Sequence, residues 1–228
     1  MFDFLKKKSA QDDAQFLSDR VPVTQERDPQ VHVVQASSGN IVSRIQALGV
    51  KPVYMLGYVS PHCDINSVGR SLRQAFPNAV LMLCSTAGEL CSEGASLYCE
   101  TPDTWDSVVL QVMDDSVIQS AELVSIPLEC DDLKSGSISL SLENRIQAIR
   151  RNIERTNVSM DINAKDTLAY ILFDGLSASE SFFMEALYDA SKFPCLFVGG
   201  SAGGKLDFQN TYIHNGSSVL KGMHVSPS

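Results

Sequence analysis

Long apolar runs are missing from this sequence. None of its segments approaches the roughly 18 to 20 residues that a membrane-spanning helix needs, and no signal-peptide core follows the basic start Lys6-Lys7-Lys8, so the chain reads as cytoplasmic. Paired cysteines are missing too. The six present (Cys63, Cys84, Cys91, Cys99, Cys130 and Cys195) never form a Cys-x-x-Cys pair, which removes the common zinc and thioredoxin-like patterns. They read as reduced thiols, with Cys84 and Cys195 set in apolar runs as small hydrophobes. Positive charge is scarce: 18 Lys and Arg stand against 27 Asp and Glu, a net charge of -9 that opposes attraction to phosphates and argues against a nucleic-acid partner. There is no P-loop, no Rossmann glycine fingerprint and no EF-hand loop, so the common nucleotide and calcium readings fall away.

What is present is a core. With 228 residues, 44% of them apolar, the chain can bury one large domain or two intimate halves. Residues 1–30 mix charge, Gln and two prolines without periodicity and read as a tail or docking segment, with Met1 to Lys8 a frayed terminus or weak interfacial anchor. Organised structure is expected over 31–228, as an α/β fold with a mixed parallel and antiparallel sheet core and flanking helices; the sequence leaves open one continuous sheet or two stacked sheets, and two layers are the favoured arrangement.

Strands are expected at Val31 to Val34, Pro52 to Ser60, Ala79 to Leu83, Thr167 to Phe173 and Cys195 to Val198. Ser107 to Met113 and Ala121 to Leu128 read as a β pair around the turn Asp114-Asp115-Ser116, and Asn215-Gly216 as a hairpin turn. Helices are expected over Asn40 to Leu48, from the N-cap Asp64 to Phe76, over Ser137 to Thr156, and from a capping box at Ser177 and Glu180 to Lys192. The acidic pairs Asp114-Asp115 and Asp131-Asp132 read as turns.

One order of parts occurs twice, over 54–88 and 170–203. Each copy runs from an apolar strand through an amphipathic helix to Phe-Pro (Phe76-Pro77, Phe193-Pro194), then a short strand and a small-residue turn, Ser85-Thr86-Ala87-Gly88 or Gly200-Ser201-Ala202-Gly203. Ligands of open α/β sheets bind beside such strand ends. Glycine and alanine let a ligand approach the backbone there, while Ser85, Thr86 and Ser201 offer hydroxyls. Asp174 and Ser177, at the end of their own strand, would supply an acceptor and a donor for a cationic or amino group.

Other chemistries are weaker. Gly199-Gly200-Ser201-Ala202-Gly203 matches the G-x-S-x-G nucleophile elbow, but Gly203-Gly204 opposes the helix that motif needs, so a serine hydrolase on Ser201 is only an alternative and no catalytic residue is assigned. Of His32, His62, His214 and His224, none lies at helical spacing from another. No metal site is assigned, and His62 and His214 are the better-placed candidates for a single axial haem ligand.

The segment Leu81 to Leu90, with Val198 to Gly204 and the following Phe208 to Gly216, resembles the N-terminal half of a FIST domain, over about Val31 to Val225. That resemblance implies a cytoplasmic sensory module, not an enzyme, that binds a small molecule such as an amino acid or related metabolite and relays it to an output module such as a chemoreceptor or histidine kinase. It requires no cofactor, although a nitric-oxide-sensing subgroup binds haem. It also leads one to expect a C-terminal half and an output module beyond Ser228, with oligomerisation through the output. The ligand-binding residues expected are Ser85, Thr86, Ala87, Gly88, Asp174, Ser177, Gly200, Ser201, Ala202 and Gly203.

Overall fold

The computed structural model describes residues 2–7, 30–92, 97–99, 101–207 and 209–220. The fold follows from two strands whose side chains alternate between two apolar layers. In β3 (Tyr54–Val59), Tyr54, Leu56 and Tyr58 face one way while Met55 and Val59 face the other; β4 (Val80–Ser85) repeats this with Val80, Met82 and Cys84 against Leu81 and Leu83. Between them runs α2 (Ile65–Ala75), opened by Asp64, whose carboxylate accepts the Asn66 N–H at 3.0 Å. β3 and β4 pair in parallel at the centre of a six-stranded sheet of order β10-β9-β4-β3-β5-β2, completed by β2 (His32–Ala36), β5 (Val108–Met113), β9 (Ile213–His214) and β10 (Val219–Leu220).

The second copy of the repeat builds a different sheet. β7 (Thr167–Asp174), α5 (Glu180–Ala190) and β8 (Leu196–Ala202) form another parallel pair with its helix, in a four-stranded sheet of order β6-β1-β7-β8. β6 spans Ile118–Val124 and β1 spans Phe2–Lys7. The two sheets stack, because Leu5, Leu172 and Ala202 of one share a buried cluster with Tyr54, Leu56, Met82 and Ile213 of the other. Outside them, α1 (Ile41–Gln46) and α2 cover the six-stranded sheet, and α4 (Leu142–Arg155) and α5 cover the four-stranded one. The mixed α/β architecture, two stacked sheets with flanking helices, is thus the one expected from the sequence.

Several local expectations are corrected. The first residues are not a frayed end: β1 lies between β6 and β7, antiparallel to both, and Phe4 is fully buried against Phe193 at 4.8 Å between ring centres. The rest of the expected tail, residues 8–29, lies outside the described residues. β5 and β6 do not pair. Asp114 caps the turn between them, accepting from the Ser116 N–H at 3.0 Å, but the chain crosses there from one sheet to the other. The longest helix begins at Leu142, later than its apolar pattern suggests, because Asp132 accepts the N–H groups of Ser139 and Leu140 and Ser141 caps the helix instead. Asp131 and Asp132 start a short helix, α3 (Asp131–Ser135), and Asp132 grips the buried Arg145 through both carboxylate oxygens at 2.8 Å. Ser177 does not cap α5; Ser179 holds that position. Gly200-Ser201-Ala202 is the end of β8, paired with Leu172 to Asp174, and the turn begins only at Gly203.

Candidate functional site

Both parallel strand pairs end at the same edge of the sandwich, and their small residues meet there. Ser85, 1% exposed, is the junction: its carbonyl accepts the Gly203 N–H at 2.9 Å, its hydroxyl donates to the Gly203 carbonyl at 2.5 Å, and the same hydroxyl accepts the Tyr212 N–H at 2.8 Å. A single side chain thereby ties β4, the turn after β8 and the segment entering β9 together. The approach demands glycine. A Cβ on Gly203 would lie 2.8 Å from the Ala87 nitrogen.

Beside this junction is a hollow of about 310 Å³, lined by Ser85, Thr86, Ala87, Gly200, Ser201 and Gly203, with Tyr58, Tyr170, Cys84, Leu172 and Gly199. At Gly200 a Cβ would meet nothing within 4 Å, so the backbone there faces open space. Two tyrosines, one from each sheet, join across the hollow, their hydroxyls 2.9 Å apart. Burial, with help from the Tyr170 hydroxyl, holds the Tyr58 phenol well above its ordinary range, so it stays a neutral donor or acceptor. Burial likewise pushes the Cys84 thiol up to about 12, which leaves it inert as a nucleophile.

The hydroxyls at the mouth are held by acids. Thr86 donates to Glu89 at 2.6 Å, and the other oxygen of that buried carboxylate takes the Trp105 indole N–H at 2.9 Å. Ser201 donates to Glu180 of α5 at 2.8 Å. The glutamate read from the sequence as part of a capping box therefore reaches across to β8.

Of the ten residues expected to bind ligand, Ser85, Thr86, Ala87, Gly200, Ser201 and Gly203 line one hollow together. Gly88 follows in the adjoining loop, at a φ of 156°. Ala202 is buried in the layer between the sheets. Asp174 is engaged elsewhere, paired with Lys134 at 2.5 Å and accepting from Thr211 and the Leu176 N–H; despite the opposing effect of burial, these partners hold its carboxyl below the ordinary range. Ser177 is fully buried, and its hydroxyl has no partner among the described residues. Sequence reasoning missed the tyrosine pair. Period-two alternation from Tyr54 would have put Tyr58 on the inner face, but nothing local says that Tyr170 of the other copy lies opposite.

The described histidines sit apart from the hollow, and His224 lies outside the described residues. His214 in β9 is 1% exposed, its Nδ1 accepts the Gly216 N–H at 3.0 Å, and its ring presses on Gly69 of α2 closely enough that a Cβ there would lie 2.4 Å from it. His62 packs edge-on to Trp105, 4.7 Å between ring centres. The His214 ring, wedged between strand and helix, offers no open face to a porphyrin. The elbow geometry is likewise lacking. Ser201 bonds to a carboxylate instead of an imidazole, and between β8 and β9 no helix occurs among the described residues.

Against this geometry, the model of the FIST N domain matches residues 54–226. The chain belongs to the FIST family. The matched span contains both parallel units, the Ser85 junction and the whole lining of the hollow, while β1, β2 and α1 precede it. None of the curated proteins and none of the solved structures matches the chain. FIST domains are sensory domains, so the chain is a sensory domain of a signalling system. Among the described residues no helix is long and apolar enough to cross a membrane.

Proposed function

We propose that this FIST domain binds a small polar molecule, an amino acid or a related metabolite, in the hollow between the ends of β4 and β8, and passes the event to an output module such as a chemoreceptor or histidine kinase. The observation that carries this reading is the meeting of the two turns at Ser85 beside a space of about 310 Å³ with hydroxyls from both sheets on its wall. A volume of that size suits a metabolite of amino-acid dimensions. Because the wall is drawn from both sheets, a ligand there contacts both halves at once, and one that prefers one packing of the sheets shifts the population toward it.

The test is a thermal-shift screen of the full chain with the common amino acids and their decarboxylated and deaminated relatives. A ligand that binds only the folded state raises the melting temperature by mass action. The reading expects at least one compound to do so in the native chain and to lose its effect in Gly200→Leu, whose side chain fills the hollow. If every stabilising compound acts equally on Gly200→Leu, the site is elsewhere.

A further inference from the structure

The layer between the sheets holds an acid that the fold leaves unsatisfied. Asp3 in β1 is fully buried, and among the described residues neither of its carboxylate oxygens closes a well-formed hydrogen bond, although the Tyr54 phenol lies close enough to favour the ionised form. A buried, unpaired carboxyl is costly, so natural cores seldom keep one without use. Its place is informative. In the register of β1 with β7, Asp3 stands directly opposite Tyr170, the residue whose hydroxyl meets Tyr58 in the hollow. Directly opposed residues of antiparallel strands project side by side on the same face. Asp3 and Leu5 share the face that packs between the sheets, and the Tyr54 phenol approaches the carboxyl from β3.

The surroundings share one sign. Among the described residues lining the hollow, none carries a positive charge. The two carboxylates at its mouth, Glu89 and Glu180, take the hydrogen bonds described above from neutral donors, unlike Asp174, which has Lys134. Tyr54 from β3 is the titratable side chain acting on Asp3, Tyr170 (opposite Asp3 in the register) and Tyr58 act in turn on Tyr54, and the chain's amino terminus adds a weaker favourable effect. Burial dominates these influences and pushes the Asp3 carboxyl well above its ordinary range, so an empty site holds it neutral further toward neutral pH than usual.

From this arrangement we infer that Asp3 is the counter-charge for a protonated amine on the ligand, which seats its ammonium group at the Tyr58 and Tyr170 hydroxyls with the Asp3 carboxylate behind them. The inference rests on the proposed hollow and narrows its ligand class: the amine is the recognised group, and a carboxylate on the ligand is dispensable. It also brings into the site a residue of β1 that lies outside the matched family span.

The probes are n-butylamine and putrescine, each against its neutral isostere, n-butanol and 1,4-butanediol, titrated calorimetrically into the full chain. The expected result is an amine affinity at least about tenfold above that of the matching alcohol, strengthening as pH rises and Asp3 gives up its proton. Asp3→Asn, which keeps the shape and removes the charge, should bind amine and alcohol alike with no pH dependence. Tyr170→Phe should weaken the amine and keep the pH dependence. Equal affinities in the native chain, no amine binding, or an amine preference intact in Asp3→Asn would overturn the assignment. Loss of both probes in Gly200→Leu with the preference intact in Asp3→Asn would retain the hollow and discard only Asp3; binding indifferent to Gly200→Leu would discard the hollow itself.

Discussion

Ser85 shows how much a single small side chain decides here. A serine at the end of a strand is unremarkable in sequence, yet its hydroxyl both donates and accepts between two segments more than a hundred positions away. Such a bond closes only after both sheets have formed. His214 makes the opposite point: read as a ligand candidate, it is a packed core residue, and burial, with the Arg70 charge nearby, lowers its pKa to about 4. The sign of the linkage follows. The folded imidazole stays neutral while the unfolded one takes up a proton below its ordinary value of 6.5, so stability is lost as pH falls from there toward about 4. The expected loss over that interval is on the order of 2 to 3 kcal/mol. Urea unfolding of native and His214→Asn chains at several pH values checks it: the variant should lack this part of the slope, and an unchanged slope would place the cause in another group.

Among the elements, the glycine-rich end of β8 separates two kinds of glycine that the sequence writes alike. Gly203 is required by contact, since its missing Cβ leaves the Ala87 nitrogen room at what would be 2.8 Å, whereas Gly200 faces open space. Gly203→Ala is therefore expected to cost about 1 to 3 kcal/mol by forcing the two turns apart. Gly200→Ala should change stability by no more than about 0.5 kcal/mol while narrowing the hollow. Thermal melts of the two variants decide this, and similar losses in both would show that strand flexibility, and not contact, sets the requirement. The misread elements share a cause. Asp114-Asp115-Ser116 was legible as a turn, but turn chemistry does not say whether the chain folds back or crosses to another sheet. The apolar pattern before α4 was legible too, yet Asp132 draws off the N–H groups of Ser139 and Leu140, and Ile138 is left 74% exposed.

On the scale of the whole molecule, the four-stranded sheet depends on the first seven residues. β1 separates β6 from β7 and contributes Phe4 to one apolar layer and Leu5 to another. Phe4→Ala is expected to cost about 3 to 5 kcal/mol, in the range for a fully buried aromatic ring. A chain cut to the family span of 54–226 should fail to unfold cooperatively in urea, because among the described strands β7 loses its inner partner and β6 its only one. A single sharp transition in that shortened chain, followed by circular dichroism, would contradict this account of the core.

The sequence by itself determined the α/β class, the two strand-helix-strand units and most of the hollow's small residues, because periodicity, capping and glycine are local properties that a short window contains. Which strands share a sheet, the place of β1, the tyrosine pair and the burial of Asp3 were decided only when the two sheets stacked. These depend on contacts between distant segments whose energy comes from excluding water between whole faces, and no local pattern encodes which face meets which.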